Sequence, residues 1–154
     1  MNQAGATPAS LSGLFSHSVQ ELIKTEPLTM LPSTTLQETV ESMRDNGRGC
    51  VLVVNGKGKL FGVFTERDVV IKLGGDDLTW RGWLLGDCMT PAPETIGRET
   101  TIGQALQKMN EGRFRHIPVV DEAGCAVGIV TIHDIIIYLV EHHPAAFLNL
   151  PSAR

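Results

Sequence analysis

Hydrophobic and polar positions along this chain follow two different periods, and the same succession of patterns occurs twice. Each half opens with a short extended piece, at 28–30 and at 94–96, and continues with a helical pattern of apolar residues at every third or fourth position. Uninterrupted apolar runs then predict buried strands, and a turn, a second strand and a second helix follow. The strands are predicted at Cys50–Val54 and Leu60–Phe64, and at Ile117–Val120 and Ala126–Val130.

Capping residues mark the limits of the helices. The strings Thr35-Leu-Gln-Glu38 and Thr101-Ile-Gly-Gln104 are capping boxes, in which a threonine side chain accepts hydrogen bonds from the first helical turn. Gly47 and Gly112 stand where a left-handed residue would end these two helices. Each half is therefore predicted to be a β-α-β-β-α unit.

The two halves align without a gap when the chain is shifted by 66 residues. Ten pairs of positions are identical: Thr29/Thr95, Thr34/Thr100, Thr35/Thr101, Met43/Met109, Val53/Val119, Val54/Val120, Gly58/Gly124, Gly62/Gly128, Thr65/Thr131 and Asp68/Asp134. Such a match indicates a duplication. We expect an α/β (α+β) fold in which two repeats are related by a pseudo-twofold axis, with their sheets packed together around one continuous core.

The rest of the chain connects or flanks these repeats. Trp80 and Trp83 are expected to seal the seam between the repeats, and the helix after Asp134 is apolar nearly all round, which predicts cover on both sides. The predicted divisions are a flexible N-terminal segment at 1–17, the first repeat at 18–76, a linker at 77–86, the second repeat at 87–143 and a C-terminal tail at 144–154.

Composition narrows the class of protein. Hydrophobic residues make up 42% of the 154 residues and charged residues 19%, which is typical of a globular protein. The net charge of −4, with both signs mixed along the chain, argues against a nucleic-acid partner. No apolar run reaches the length of a membrane span and residues 1–17 lack a signal-peptide pattern, so a cytoplasmic location without membrane contact is expected. Three cysteines are too few for a disulfide framework.

Candidate chemistry lies at the end of the second strand in each repeat, in the strings Gly62-Val-Phe-Thr65-Glu-Arg-Asp68 and Gly128-Ile-Val-Thr131-Ile-His-Asp134. A hydroxyl at a helix start suits a phosphate, and the acid beside it can accept hydrogen bonds from a ribose. Each glycine would let a ligand approach the backbone, and Arg67 and His133 can supply positive charge. We expect both ends to face one shared cleft. The same residues can equally act as helix caps without any ligand.

These strings make the sequence similar to the tandem CBS domain pair, the Bateman module. The resemblance also rests on Arg115-His-Ile-Pro-Val-Val-Asp121 and Asp87-Cys-Met-Thr-Pro91, and it covers roughly residues 18–142. It implies a non-catalytic regulatory module without an obligatory cofactor. Its regulatory ligand would be an adenosine nucleotide (AMP, ADP or ATP) or S-adenosylmethionine, bound between the repeats.

The resemblance also implies which residues contact that ligand. The threonines would meet phosphate or ribose, the aspartates the ribose hydroxyls, and the backbone of the central strands the adenine. The implied ligand-binding set is Thr29, Val51, Leu52, Thr65, Arg67, Asp68, Thr95, His116, Ile117, Pro118, Thr131, His133 and Asp134.

Partners and alternatives follow from the same residues. The apolar helices Val69–Leu73 and Ile135–Val140 favour a homodimer, and an effector protein in trans is expected because no effector domain is recognised. The main alternative is a ligand-free protein–protein interaction module of the same fold. An enzyme is disfavoured because no HExxH, Walker or GxGxxG pattern occurs. A metal site at His142–His143 is disfavoured because adjacent helical residues point apart.

Overall fold

The computed structural model describes residues 10–148 of the chain. The helices are α1 (Leu11–Leu14), α2 (Leu36–Asn46), α3 (Glu66–Lys72), α4 (Leu85–Cys88), α5 (Ile102–Gly112), α6 (Ile132–His142) and α7 (Pro144–Leu148), with 3-10 turns at Val19–Leu22 and Thr79–Gly82. The strands are β1 (Thr29–Met30), β2 (Cys50–Val54), β3 (Leu60–Thr65), β4 (Thr90–Pro91), β5 (His116–Val120) and β6 (Ala126–Thr131). The predicted α+β fold of two β-α-β-β-α repeats is confirmed.

The two repeats carry sheets of different extent. In the first, the strand order is β1-β2-β3-β4, with β1 parallel to β2 and the other pairs antiparallel. In the second, β5 and β6 form an antiparallel pair, and the expected first strand at 94–96 is reduced to one parallel bridge between Ile96 and Val119. Among the described residues no helix has the length and hydrophobicity needed to cross a bilayer.

Hydrogen bonds between the repeats occur in symmetric pairs. The Leu60 amide donates to the Gly124 carbonyl at 3.1 Å, and the Ala126 amide, 66 positions further along, donates to the Gly58 carbonyl at 2.9 Å. Bridges between Ser18 and Thr101 and between Thr35 and Leu84 obey the same exchange. The two repeats are therefore related by a pseudo-twofold axis.

Each core is completed by a segment that precedes the other repeat in the chain. Leu14, Val19 and Leu22 are buried with the side chains of the second repeat, although they precede the first. Trp80 and Leu85 pack into the core of the first repeat, although they precede the second. We call residues 14–23 and 80–89 the lead-in segments.

This exchange corrects several expectations. The core is not continuous: buried side chains form two clusters, one per repeat, because each pair of helices covers its own sheet. The N-terminal segment is not flexible through residue 17, since Leu14 is 1% exposed and residues 11–14 form α1. The expected linker includes core residues, and Trp80 packs in the first core rather than in the seam. Trp83 is exposed. Residues 1–9 and 149–154 of the predicted termini lie outside the described residues.

Two details of the helices also differ from expectation. Gly47 ends α2 in the left-handed conformation (φ 59°), but at the end of α5 that role belongs to Arg113 (φ 55°) and not to Gly112. Helix α6 is not covered on both sides, because Ile136 and Ile137 are 49% and 38% exposed. One face of α6 packs against the second core through Ile135 and Tyr138, and the other face lacks cover within the described chain.

Candidate functional site

Two separate clefts lie at the helix starts, where the sequence predicts one shared cleft. The Thr65 cleft has a volume of about 910 Å³ and includes Thr65, Arg67 and Asp68. The Thr131 cleft has a volume of about 440 Å³ and includes Thr131, His133 and Asp134. The ends are separated because the pseudo-twofold axis places the two helix starts on opposite sides of the seam.

Each cleft combines both repeats. The Thr65 cleft is completed by residues around the start of β5, namely Arg113, Phe114, Arg115 and His116, together with Thr90, Pro93 and Glu94. The Thr131 cleft is completed by residues around the start of β2, namely Gly47, Arg48, Gly49 and Cys50, together with Lys24, Thr25 and Leu28. The helix start of one repeat therefore faces the loop that precedes the central strand of the other.

The threonine and aspartate of each cleft cap their helix. The Thr65 amide and hydroxyl donate to Asp68 Oδ2 at 2.8 and 3.0 Å, and the Asp68 amide donates back to Thr65 Oγ1 at 3.4 Å. At Thr131 and Asp134 the corresponding distances are 2.8, 2.7 and 3.1 Å. The capping interpretation holds in both repeats, so a ligand would use only what the caps leave available.

The second carboxylate oxygen distinguishes the two clefts. Asp68 Oδ1 pairs with Lys72 Nζ at 2.8 Å, and that ammonium also donates to the Cys88 carbonyl at 2.7 Å. Position 138 corresponds to position 72, and its residue Tyr138 instead donates to Glu21 Oε2 at 2.5 Å. Within residues 10–148 no protein group bonds to the second oxygen of Asp134. Asp134 therefore retains an acceptor oxygen in its cleft.

His116 lines both clefts, at the seam between them. Burial is the main cause that lowers the pKa of its imidazole, against the smaller raising effects of Glu66 and Asp134. Its counterpart 66 positions earlier is Cys50, where burial raises the pKa of the thiol to about 12. A neutral imidazole and a neutral thiol therefore stand at equivalent positions beside the ligand space.

The two strand glycines serve packing rather than ligand approach, which corrects the sequence interpretation. A Cβ at Gly62 would collide with Met89 and lie 2.9 Å from the Thr90 carbonyl oxygen. A Cβ at Gly128 would lie 2.9 Å from Ile23. Ile23 and Met89 are equivalent positions of the two lead-in segments. Each glycine thus gives a lead-in segment room to pack.

Six residues of the implied ligand set do not line either cleft: Thr29, Val51, Leu52, Thr95, Ile117 and Pro118. The central-strand residues among them are buried, because both faces of β2 and β5 are covered. Only the first residue of each strand, Cys50 or His116, reaches a cleft. Sequence reasoning also missed the basic residues Lys24, Arg48, Arg113 and Arg115. The adjacent Arg-His string was the signal for Arg115, but it was assigned to the cleft of its own repeat.

The molecule is thus a tandem pair of one repeat with a cleft at each helix start. The sequence pattern of the CBS domain matches residues 19–75 and again residues 85–141. The chain belongs to the CBS domain family, and the predicted resemblance is confirmed. An uncharacterized protein of Methanopyrus kandleri, MK0525, is 33% identical over 121 residues, which are 79% of this chain and 62% of that protein. The chain therefore spans less than two thirds of that relative's length.

Solved structures share the fold. Arabidopsis thaliana CBSX2 in complex with AMP has a TM-score of 0.73 at 24% identity, covering 82% of this chain and 99% of that one. The CBS domain pair of MJ0100, in complex with 5′-methylthioadenosine and S-adenosylmethionine, has a TM-score of 0.73 at 22% identity, covering 81% and 97%. At these identities the comparison establishes the fold alone.

Proposed function

We propose that this chain is a non-catalytic regulatory module that binds an adenosine-containing ligand and signals to a partner protein through a change of conformation. The observation that carries the proposal is the Thr131 cleft. There the free oxygen of Asp134 and the start of an eleven-residue helix face a loop of the other repeat. A ribose diol can donate to that oxygen, as it does to acidic residues in dinucleotide folds. The adenosine ligands of CBSX2 and MJ0100 support the same chemistry.

The ligand should contact both repeats at once. In each cleft the helix start comes from one repeat and the loop from the other, so bound ligand would bridge the pseudo-twofold seam. A ligand that binds one arrangement of the repeats better than another shifts the population toward it. Such a shift is the signal that we propose is read by an effector in trans. The free thiols of Cys50, Cys88 and Cys125 are compatible with the cytoplasmic location that we also propose.

Isothermal titration calorimetry of the full chain with AMP, ADP, ATP and S-adenosylmethionine tests the proposal. Asp134→Asn is the informative variant, because its amide oxygen can still accept the capping bonds from Thr131 while the charge is lost. We expect it to weaken binding at the Thr131 cleft by about 1–3 kcal/mol, the range for a hydrogen bond to a charged group. Asp87→Asn is the control, since Asp87 is exposed and lines neither cleft.

The ligand-free interaction module is the second candidate, because the threonine and aspartate side chains already have partners as caps. It requires that no adenosine compound binds the wild-type chain at millimolar concentration. It also requires that Asp134→Asn leaves every measured property except stability unchanged. A measurable affinity for any of the four compounds rules it out.

We also propose that the chain forms a homodimer through α3 and α6. Val70 and Ile71 on α3 are 75% and 65% exposed, and Ile136 on α6 is 49% exposed. Exposed apolar side chains that adjoin on helices are typical of protein interfaces. Val70→Glu should lower the mass measured by light scattering at micromolar concentration, whereas Leu78→Glu, 54% exposed but outside both helices, should not. A monomer mass for the wild type would refute the proposal.

A further inference from the structure

The two clefts differ most in fixed positive charge. Arg67, Arg113 and Arg115 all line the Thr65 cleft. The positions equivalent to them, 66 residues away, line the Thr131 cleft and are His133, Gly47 and Gly49. The duplication thus keeps the same three places beside each ligand space, but only one cleft has arginine at all of them.

These three arginines have no structural task that accounts for them. Within the described part of the chain none of their guanidinium groups makes a hydrogen bond or an ion pair, whereas Arg48 in the other cleft donates to Thr25 Oγ1 at 3.0 Å. Arg113 also adopts the left-handed conformation that its equivalent, Gly47, adopts without steric cost. An arginine at that position is unfavourable for the backbone, so its side chain is the reason to look for a ligand.

The acidic groups of the Thr65 cleft do not cancel this charge. Asp68 is paired with Lys72 at 2.8 Å, and Glu94 is paired with Lys108 at 2.9 Å. Glu66 is the lining carboxylate that the described residues leave without an ion-pair partner. In the smaller Thr131 cleft, by contrast, Lys24 lies 3.6 Å from Glu141 and the carboxylate of Asp134 has no ion-pair partner among residues 10–148.

We propose that the Thr65 cleft selects adenine nucleotides with two or three phosphates, and that the Thr131 cleft takes adenosine compounds with one phosphate or none. Guanidinium groups bind phosphate oxygens in a bidentate manner, and several unpaired ones around a cleft of about 910 Å³ suit a polyphosphate chain. This assignment rests on the proposed function, because it presupposes that both clefts bind adenosine compounds. It concerns which ligand each cleft prefers.

The test replaces arginines with the residues that the chain itself has at the equivalent positions. The double variant Arg113→Gly, Arg115→Gly is compared with wild type in titrations with ATP, AMP and inorganic tripolyphosphate, each in an Asp134→Asn background that weakens the other cleft. Glycine at 113 relieves the left-handed conformation, so the variant is expected to fold. We expect ATP affinity to fall roughly 100-fold, about tenfold per guanidinium lost, and the salt dependence of ATP binding to decrease. Arg44→Ala, which lines neither cleft, is the control.

The outcomes separate this assignment from the proposed function. It is supported if wild type binds ATP more tightly than AMP, tripolyphosphate competes with ATP, and the double variant loses that preference. It is overturned if ATP and AMP bind equally, or if the double variant leaves the ATP affinity unchanged. Binding of tripolyphosphate without binding of any adenosine compound would refute the proposed function but keep a polyphosphate cleft. Binding of neither would refute both.

Discussion

The exchange of lead-in segments predicts that a residue ahead of the first repeat stabilises the second. Leu14 is 1% exposed and lies in the second core, so Leu14→Ala leaves a cavity there. Leucine to alanine at buried sites costs about 2–5 kcal/mol, and the four-residue α1 can relax only in part, so we expect about 3 kcal/mol. Leu11 in the same helix is 37% exposed, and Leu11→Ala should change stability by less than about 0.5 kcal/mol.

Urea denaturation followed by far-UV circular dichroism and by tryptophan fluorescence measures this effect. With a slope of about 1–3 kcal/mol/M, a loss of 3 kcal/mol lowers the midpoint by roughly 1 M or more. The tryptophans Trp80 and Trp83 both lie beside the first repeat, where the Trp83 carbonyl accepts from the Leu36 amide at 2.8 Å. If the repeats unfold together, both signals shift. If they unfold separately, only the dichroism shifts. Equal midpoints for Leu14→Ala and Leu11→Ala would refute the reasoning.

Three further predictions concern packing and protonation. Gly62→Ala should lower the melting temperature more than Gly128→Ala, by about 1–3 kcal/mol of stability, because only at Gly62 does the added methyl meet a backbone oxygen; calorimetric scans giving the reverse order would contradict it. Because burial raises the pKa of Cys50 to about 12, this thiol should resist iodoacetamide at pH 8 while Cys125 is labelled, which peptide mass spectrometry checks. Burial lowers the pKa of His116, so the unfolded chain binds its proton more readily and stability should fall as pH drops below about 6.5; urea midpoints at pH 7.5 and 5.5 should differ less in His116→Gln.

The repeat architecture could be predicted from the sequence because every element of each unit has its own local signal. The capping boxes at Thr35 and Thr101 are present as expected, and the strand periods gave the central hairpins. What local patterns could not show is which unit a short segment completes. Val19 and Leu85 have the same apolar character wherever they pack, and only the tertiary structure assigns each to the core of the other unit. The seam role expected of Trp80 failed for that reason.

The candidate site was predicted in part. Thr65, Asp68, Thr131 and Asp134 all lie at clefts, because their motif is a local one at a strand end and a helix start. The loop residues opposite them were assigned to the wrong cleft, since a pseudo-twofold axis brings together positions that are far apart in the sequence. Arg115 therefore faces Thr65 rather than Thr131. A chain shift of 66 residues reveals equivalence, but it does not reveal contact.

The exchanged lead-in segments also bear on the history of the chain. A single ancestral unit, containing one lead-in segment and one β-α-β-β-α repeat, could not have placed its own lead-in segment in its own core as the present chain is arranged. It would have needed a second molecule to supply residues equivalent to Val19 or Leu85. The arrangement is the one that results when two such molecules, each lending a segment to the other, are joined into one polypeptide. On this view the gene fusion turned a concentration-dependent association into a permanent one.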